Sequence, residues 1–375
     1  MTLIRTFLIL LVHVTYFIHL NAAAYSSDGT EVDTSHDRLK RQAIGYESRL
    51  WRTGVNYYFD ENASNATKEA FLRGANAWER DTCINFTQNE NATDVIHVGE
   101  WDGVCGSEIG KIGGRQNLSL GKGCELFGHA AHEIGHALGL HHTQNRYDRD
   151  DHITINWTNV EEAYKPQFNL TKWHEFTKYS LPYDYGSIMH YESNRTKPTM
   201  TPKKSHYMGT LGSPMISFID LSMINEHYYC KSEWIFIFEI SHFFASAHWN
   251  HLNTKHSNPR KDFDYLKKTY WIKPSYTGGK VKIEVNLTHI SQNIDVEGCV
   301  FAGVEIKNEA DQTVTGRRLC SKNDIGVVFA SPCYSSSNSS HLVPVIFYSY
   351  GWPNDTITIK ATLEYRYGNI YSLYS

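Results

Sequence analysis

Apolar and polar positions alternate through Val55, Tyr57 and Phe59, a period of two that predicts a strand. The spacing then lengthens: Ala70, Phe71, Gly74, Ala77 and Trp78 follow the period of an amphipathic helix. A second extended run, 95–98, leads into a glycine-rich stretch over 99–123, after which a helix is expected to start near Leu126. Another helical stretch, 221–227, precedes Cys230, where the first body is expected to close. From 231 to 268 a short apolar run, 234–240, gives way to polar, histidine-rich sequence with no clean periodicity, which reads as a linker. Alternation resumes after Tyr270, in 280–287, 300–306, 343–348 and 356–363, and predicts a small all-β domain. The pattern thus predicts an α+β body followed by an all-β one.

The first 24 residues carry a different signal. Arg5 supplies a basic start, Phe7 to Val12 an apolar stretch, and Ala22, Ala23 and Ala24 a small-residue end, as in a secretory signal peptide. His13, Thr15 and His19 interrupt the run, which falls short of the roughly 20 residues needed to span a bilayer, so no membrane anchor is expected. A polar stretch follows and ends in Arg38, Leu39, Lys40 and Arg41, which reads as a propeptide cut after Arg41. Asn-x-Ser/Thr sequons recur from Asn62 and Asn65 through Asn194 to Asn354, consistent with an exported, extracellular glycoprotein. In that compartment the seven cysteines are expected to pair, leaving one over.

Composition narrows the classes further. With 41% hydrophobic and 20% charged residues the chain has material for packed cores. A formal charge of -4 provides no basic field for phosphate backbones, so nucleic acid is not an expected partner.

The chemistry concentrates on the helix after Leu126, which carries His132, Glu133 and His136, followed by Gly139 and His142. Histidines four apart share a helix face and can converge on one metal ion. Gly139 can take the positive φ that ends a helix, turning the chain so that His142 offers a third nitrogen. Three protein ligands leave one tetrahedral position open, the mark of a catalytic rather than a structural zinc. Glu133, next to the first ligand, is placed to act as general base on a water there. His129 and His141 have spacings that suit no ligand role.

The run from His132 to His142, continued by Arg146, Asp148, Arg149 and Asp150, resembles the zinc signature of the astacin family of metalloproteases. Downstream, Tyr183, Asp184, Tyr185, Ser187, Ile188, Met189, His190 and Tyr191 resemble that family's Met-turn. The resemblance implies one zinc per subunit, Met189 beneath it as a structural base, and Tyr191 as a further ligand that swings away to bind the oxyanion. It also implies a two-lobed α+β metzincin fold with disulfides Cys83–Cys230 and Cys105–Cys124. The C-terminal part resembles a CUB module in Trp271, Ile272, Pro274, Gly298, Cys299, Gly303, Val304, Glu305, Gly316 and Cys320, which implies a β-sandwich with a Cys299–Cys320 bridge and leaves Cys333 unpaired. Ala302 stands where calcium-binding versions carry an aspartate, so calcium is not expected.

Two departures from the family bear on activation. Thr143 occupies the position where relatives place a glutamate that receives the mature N-terminus, and only Asp28 and Asp33 are present in the propeptide as candidates to block the zinc. The region Leu211, Gly212, Ser213, Pro214 lacks the arginine that in some relatives favours acidic substrates. The expected organisation is a signal peptide (1–24), propeptide (25–41), astacin-like domain (42–230), linker (231–269), CUB-like domain (270–367) and tail (368–375). The expected function is a secreted zinc endopeptidase acting on proteins or peptides, with protein partners for the CUB-like module. The principal rival is a binding protein on a dead protease fold; a zinc hydrolase of non-peptide substrates shares the metal chemistry but not the Met-turn.

Overall fold

The structure, a computed structural model, describes residues 42–43, 45–101, 103–171, 181–230, 241–259, 265–275, 280–291, 294, 296–335, 342–351 and 357–369. The expected signal peptide and propeptide, with Asp28, Asp33 and Arg41, lie outside the described residues. Among those described, no helix is long and apolar enough to cross a membrane.

The first body begins with β1 (Val55–Phe59), α1 (Asn65–Asp81), β2 (Phe86–Gln88), β3 (Val95–Gly99), β4 (Cys105–Ser107), β5 (Arg115–Leu120) and α2 (Phe127–Ala137). Its sheet has the order β2-β1-β3-β5-β4, parallel except for the antiparallel edge strand β4. β3 is buried along its whole length, as a strand of a covered parallel sheet should be. α1 starts on the Ser64 cap, whose side chain accepts from the Thr67 N–H, and buries Ala70, Phe71, Gly74, Ala77 and Trp78, the positions its periodicity singled out. Burying Phe71 or Trp78 contributes about 1.5–3 kcal/mol each. α1 packs on α2, and the Trp78 indole donates to the Ala131 carbonyl at 2.9 Å, fixing the register of the two helices.

After α2 the chain forms β6 (Ile153–Ile155), β7 (Met200–Pro202) and α3 (Phe218–His227), with a second apolar cluster around Tyr183, Tyr185, Met200 and Tyr207. Cys83–Cys230 ties the chain just past α1 to the chain just past α3, and Cys105–Cys124 ties β4 to the loop ahead of α2.

The C-terminal body is a pair of facing sheets. One has the order β13-β12-β16-β10-β8 and the other β14-β11-β17-β9, with β15 paired to β11. The strands are β8 (Ser241–Ala245), β9 (Asn250–Ser257), β10 (Tyr265–Pro274), β11 (Lys280–Ile290), β12 (Ala302–Ile306), β13 (Arg317–Leu319), β14 (Val328–Ala330), β15 (Tyr334–Ser335), β16 (Val343–Tyr350) and β17 (Thr358–Asn369). Val285, Leu287, Val304, Ile306, Phe347 and Leu363 fill the space between the sheets, Cys299 bridges Cys320, and Cys333 is free and exposed.

The stretch 231–269, read as a linker, departs from that expectation: β8 and β9 extend one sheet each, and β10 starts ahead of position 270. On the edge strand β9 only Leu252 and His256 turn inward, and His256 meets its buried site by hydrogen bonding the Leu266 carbonyl at 2.9 Å. A strand with one apolar anchor carries almost no alternation to detect.

The two bodies share a border. Tyr350, the last residue of β16, is buried in the core of the first body, and Met215, ahead of α3, in that of the second. Asp184 accepts from both the N–H and the hydroxyl of Thr315, each at 3.0 Å, and the Arg318 N–H donates to the Thr210 hydroxyl at 3.1 Å. The Arg318 guanidinium pairs with Glu305 at 3.2 Å and also reaches the Ser213 hydroxyl.

Candidate metal centre

α2 opens after Leu126 and presents His132 and His136, one turn apart, on a single face. It closes in a Schellman turn: Gly139 adopts φ 103°, its N–H donates to the His136 carbonyl at 2.8 Å, and the Leu140 N–H donates to the Gly135 carbonyl at 2.9 Å. This reversal, available without strain only to glycine, brings His142 back over the helix face. Indole and phenol groups hold the helix end in place, with Trp51 donating to the Ala137 carbonyl at 3.0 Å and Tyr228 to the Leu138 carbonyl at 3.1 Å.

Nδ1 of His132 faces the Ile188 carbonyl and Nδ1 of His136 the Leu140 carbonyl, both at 2.7 Å. Each ring therefore keeps its proton on Nδ1 and turns the Nε2 lone pair inward. His142 Nε2 lies 3.2 Å from that of His132 and 3.0 Å from that of His136. Tetrahedral zinc with nitrogen ligands at about 2.0–2.1 Å sets neighbouring donors about 3.3 Å apart. Burial lowers His132 to about 4 and holds His136 and His142 well below the ordinary imidazole value, so all three are neutral ligands at neutral pH. The donor set fits zinc. The same three residues form a group of metal-binding atoms within 4.8 Å of one another.

Glu133 points into the same cleft from a buried position, and burial pushes its carboxyl up to about 8. A dication beside it acts in the opposite sense, favouring the carboxylate. The Tyr191 ring lies 4.3 Å from that of His142, and its backbone N–H donates to the Gln144 side chain at 3.1 Å. Met189 is wholly buried, with its sulfur against Gly135: a β-carbon there would sit 2.7 Å from Sδ and 3.4 Å from the Trp78 ring. Gly135→Val is therefore expected to cost about 1–3 kcal/mol and to displace the Met189 side chain packed against it. A melting temperature lowered by several degrees, together with weaker zinc retention in dialysis, checks this.

Sequence reasoning did not identify the residues that support this site. Asp220 accepts from the Ser187 hydroxyl at 2.5 Å and from the N–H groups of Ile188 and Ser217 at 2.9 Å, anchoring the Met189 turn to α3. The Ser217–Asp220 capping box was the available signal, since it predicts a helix start there. Burial and the nearby Asp184 carboxylate push Asp220 up to about 6.

Thr143 takes part in the same network. The Gln42 amide donates to the Thr143 hydroxyl at 2.7 Å, which donates to Ser187 at 2.9 Å, while Ala43 pairs with Leu140. The start of the described chain is thus docked on the neutral Thr143 hydroxyl, through which the relay runs by Ser187 to the Asp220 carboxylate. His129 and His141 also border the cleft, outside the three-histidine group.

The model of the peptidase family described as Astacin matches residues 43–229. Zinc metalloproteinase nas-31 of Caenorhabditis elegans is 35% identical over 390 residues, covering 90% of this chain and 60% of that protein. Zinc metalloproteinase nas-32 of the same organism is 32% identical, covering 81% of this chain and 52% of that protein. The chain thus spans little more than half the length of these two relatives. Among solved structures, High choriolytic enzyme 1, a hatching enzyme zinc-protease from Oryzias latipes, is similar at 30% identity, over 54% of this chain and all of that one, with a TM-score of 0.45. With the family match lying over the three convergent histidines, the chain belongs to the astacin family of peptidases.

Proposed function

We propose that the protein is a secreted, zinc-dependent endopeptidase in which Glu133 acts as general base, released from its propeptide by cleavage after Arg41. The observation that carries this reading is the buried Glu133 carboxyl in one cleft with three converging Nε2 atoms, two of them, on His132 and His136, in rings whose tautomers are set to accept a metal. When bound, zinc lowers the pKa of a ligated water to about 7 and polarises a scissile carbonyl. Glu133 then takes the proton from the attacking water and returns it to the departing amine, so the peptide bond is hydrolysed without a covalent enzyme intermediate. Tyr191, beside His142, supplies a hydroxyl donor for the charge that develops on the carbonyl oxygen and is a further ligand candidate in the resting site. Met189 and Asp220 hold these groups in place.

Peptides or proteins are the substrates. The C-terminal sandwich, with its Cys299–Cys320 bridge, supports a CUB-like reading of 270–367 and a role in contacting protein partners.

The test is cleavage of a broad peptide library by protein processed after Arg41. Treatment with a zinc chelator is expected to lower the rate at least a hundredfold, and stoichiometric zinc to restore it. Folded, zinc-loaded protein that cuts no peptide would overturn the reading in favour of a binding protein acting through its CUB-like module.

A further inference from the structure

The cleft that contains His132 and Glu133 has a volume of about 630 Å³, and it is not built by the astacin-like body alone. At the N-terminal end of α2 its wall is Tyr265, Val300, Phe301 and Tyr350, all from the C-terminal body, facing Leu126 and Phe127. The Tyr265 ring stands 6.0 Å from that of Phe127 and 5.1 Å from that of Tyr350. The Tyr265 hydroxyl donates to the Val300 carbonyl at 2.5 Å, and the Tyr350 N–H to the Phe301 carbonyl at 2.7 Å, so the 300–301 turn is pinned at both ends. Arg318, through Ser213 and Thr210, and Thr315, through Asp184, fix the same border. The wall is held by buried contacts rather than laid loosely over the opening.

Its chemistry differs from that of the rest of the cleft. Asn145 and Gln167 line the cleft beyond His142, whereas Leu126, Phe127, Pro214, Tyr265, Val300 and Phe301 supply an apolar and aromatic lining, edged by His129, Ser213 and Glu192. Phe127 precedes His132 by five positions, about 7.5 Å along the helix, and an extended peptide covers that span in two to three residues.

We infer that the C-terminal body completes a specificity subsite, in which Phe301 and Val300 select substrates carrying a bulky apolar side chain within three residues of the scissile bond. This rests on the endopeptidase reading above. Water-excluding aromatic walls favour such a side chain over a small or charged one, and loss of that contact changes selectivity by about tenfold or more.

The experiment compares cleavage-site maps of wild type, Phe301→Ala, Phe301→Leu and Val300→Lys, each as the full processed chain with zinc. Wild type is expected to enrich Phe, Tyr, Leu or Met at one fixed position near the cut. Phe301→Ala lowers kcat/KM about tenfold for those peptides, chiefly through KM, and less than twofold for peptides with alanine at that position. Phe301→Leu keeps the preference, and Val300→Lys turns it toward acidic side chains. A melting temperature for each variant separates lost folding from lost selectivity, and the two remaining variants carry the test if one does not fold. Wild type that cuts with no apolar preference, or variants whose maps match wild type, would overturn the inference alone. Wild type that cuts nothing overturns the endopeptidase reading and this inference with it.

Discussion

Glu133→Gln is expected to reduce kcat/KM for peptide cleavage by about 10²–10⁴ while leaving zinc content unchanged. Glutamine keeps the size of the side chain but cannot accept a proton at neutral pH, so the attacking water loses its base. Glu133 is buried beside the metal ligands but is outside the three-histidine group, which is why binding and catalysis should separate in this variant. Without metal, burial disfavours its carboxylate, so in the metal-free protein the neutral amide should not weaken the fold, and the melting temperature there should hold or rise. Metal analysis, a melting curve and the rate on one good peptide decide the matter together. A variant that binds zinc, folds and still cuts at the wild-type rate would remove Glu133 from the mechanism.

Arg318→Met is expected to cost about 3–5 kcal/mol, because it removes the guanidinium hydrogen-bonded to the buried Glu305 carboxylate. Both side chains are almost wholly inaccessible. Burial alone would raise the Glu305 carboxyl, but the Lys307 and Arg318 cations and the Gly316 N–H outweigh it and hold the group down at about 2. The folded value lies below the unfolded value of about 4.3, so the stabilisation is present above roughly pH 4.3 and is lost as pH falls toward 2. In the variant that contribution shrinks, so the fall in melting temperature between about pH 4.3 and pH 2 should be smaller than in wild type. Because Arg318 also reaches Ser213 across the border, selectivity for bulky side chains should relax in the same protein. An acid limb unchanged from wild type would show that Lys307 alone sustains Glu305.

How much of this was legible in the sequence depends on how local the information was. The helices needed only local signals: α1 buries the expected apolar positions, α2 starts just after Leu126 as expected, and Gly139 reverses the chain between His136 and His142. The cleft's second wall was not legible, since Tyr265, Val300 and Phe301 sit at strand ends in a different body from α2 and no periodicity links them to it. Asp220 was hidden for a similar reason. It reads locally as a capping residue, and its role under Met189 arises only when α3 packs against a turn about thirty residues upstream. β9 was missed because polar side chains fill most of an edge strand that needs to bury little.

The cystine pairs impose an order on synthesis. Cys105 and Cys124 are 19 positions apart and can join while the chain is still short, whereas Cys83 must wait 147 positions for Cys230. At about 5–20 residues per second that interval lasts of the order of ten seconds, during which the Cys83 thiol is exposed to every other cysteine already made. Early closure of the Cys105–Cys124 pair removes the two nearest wrong partners. Tyr265 and Arg318 are made later still, so the wall that narrows the cleft is among the last parts of it to leave the ribosome.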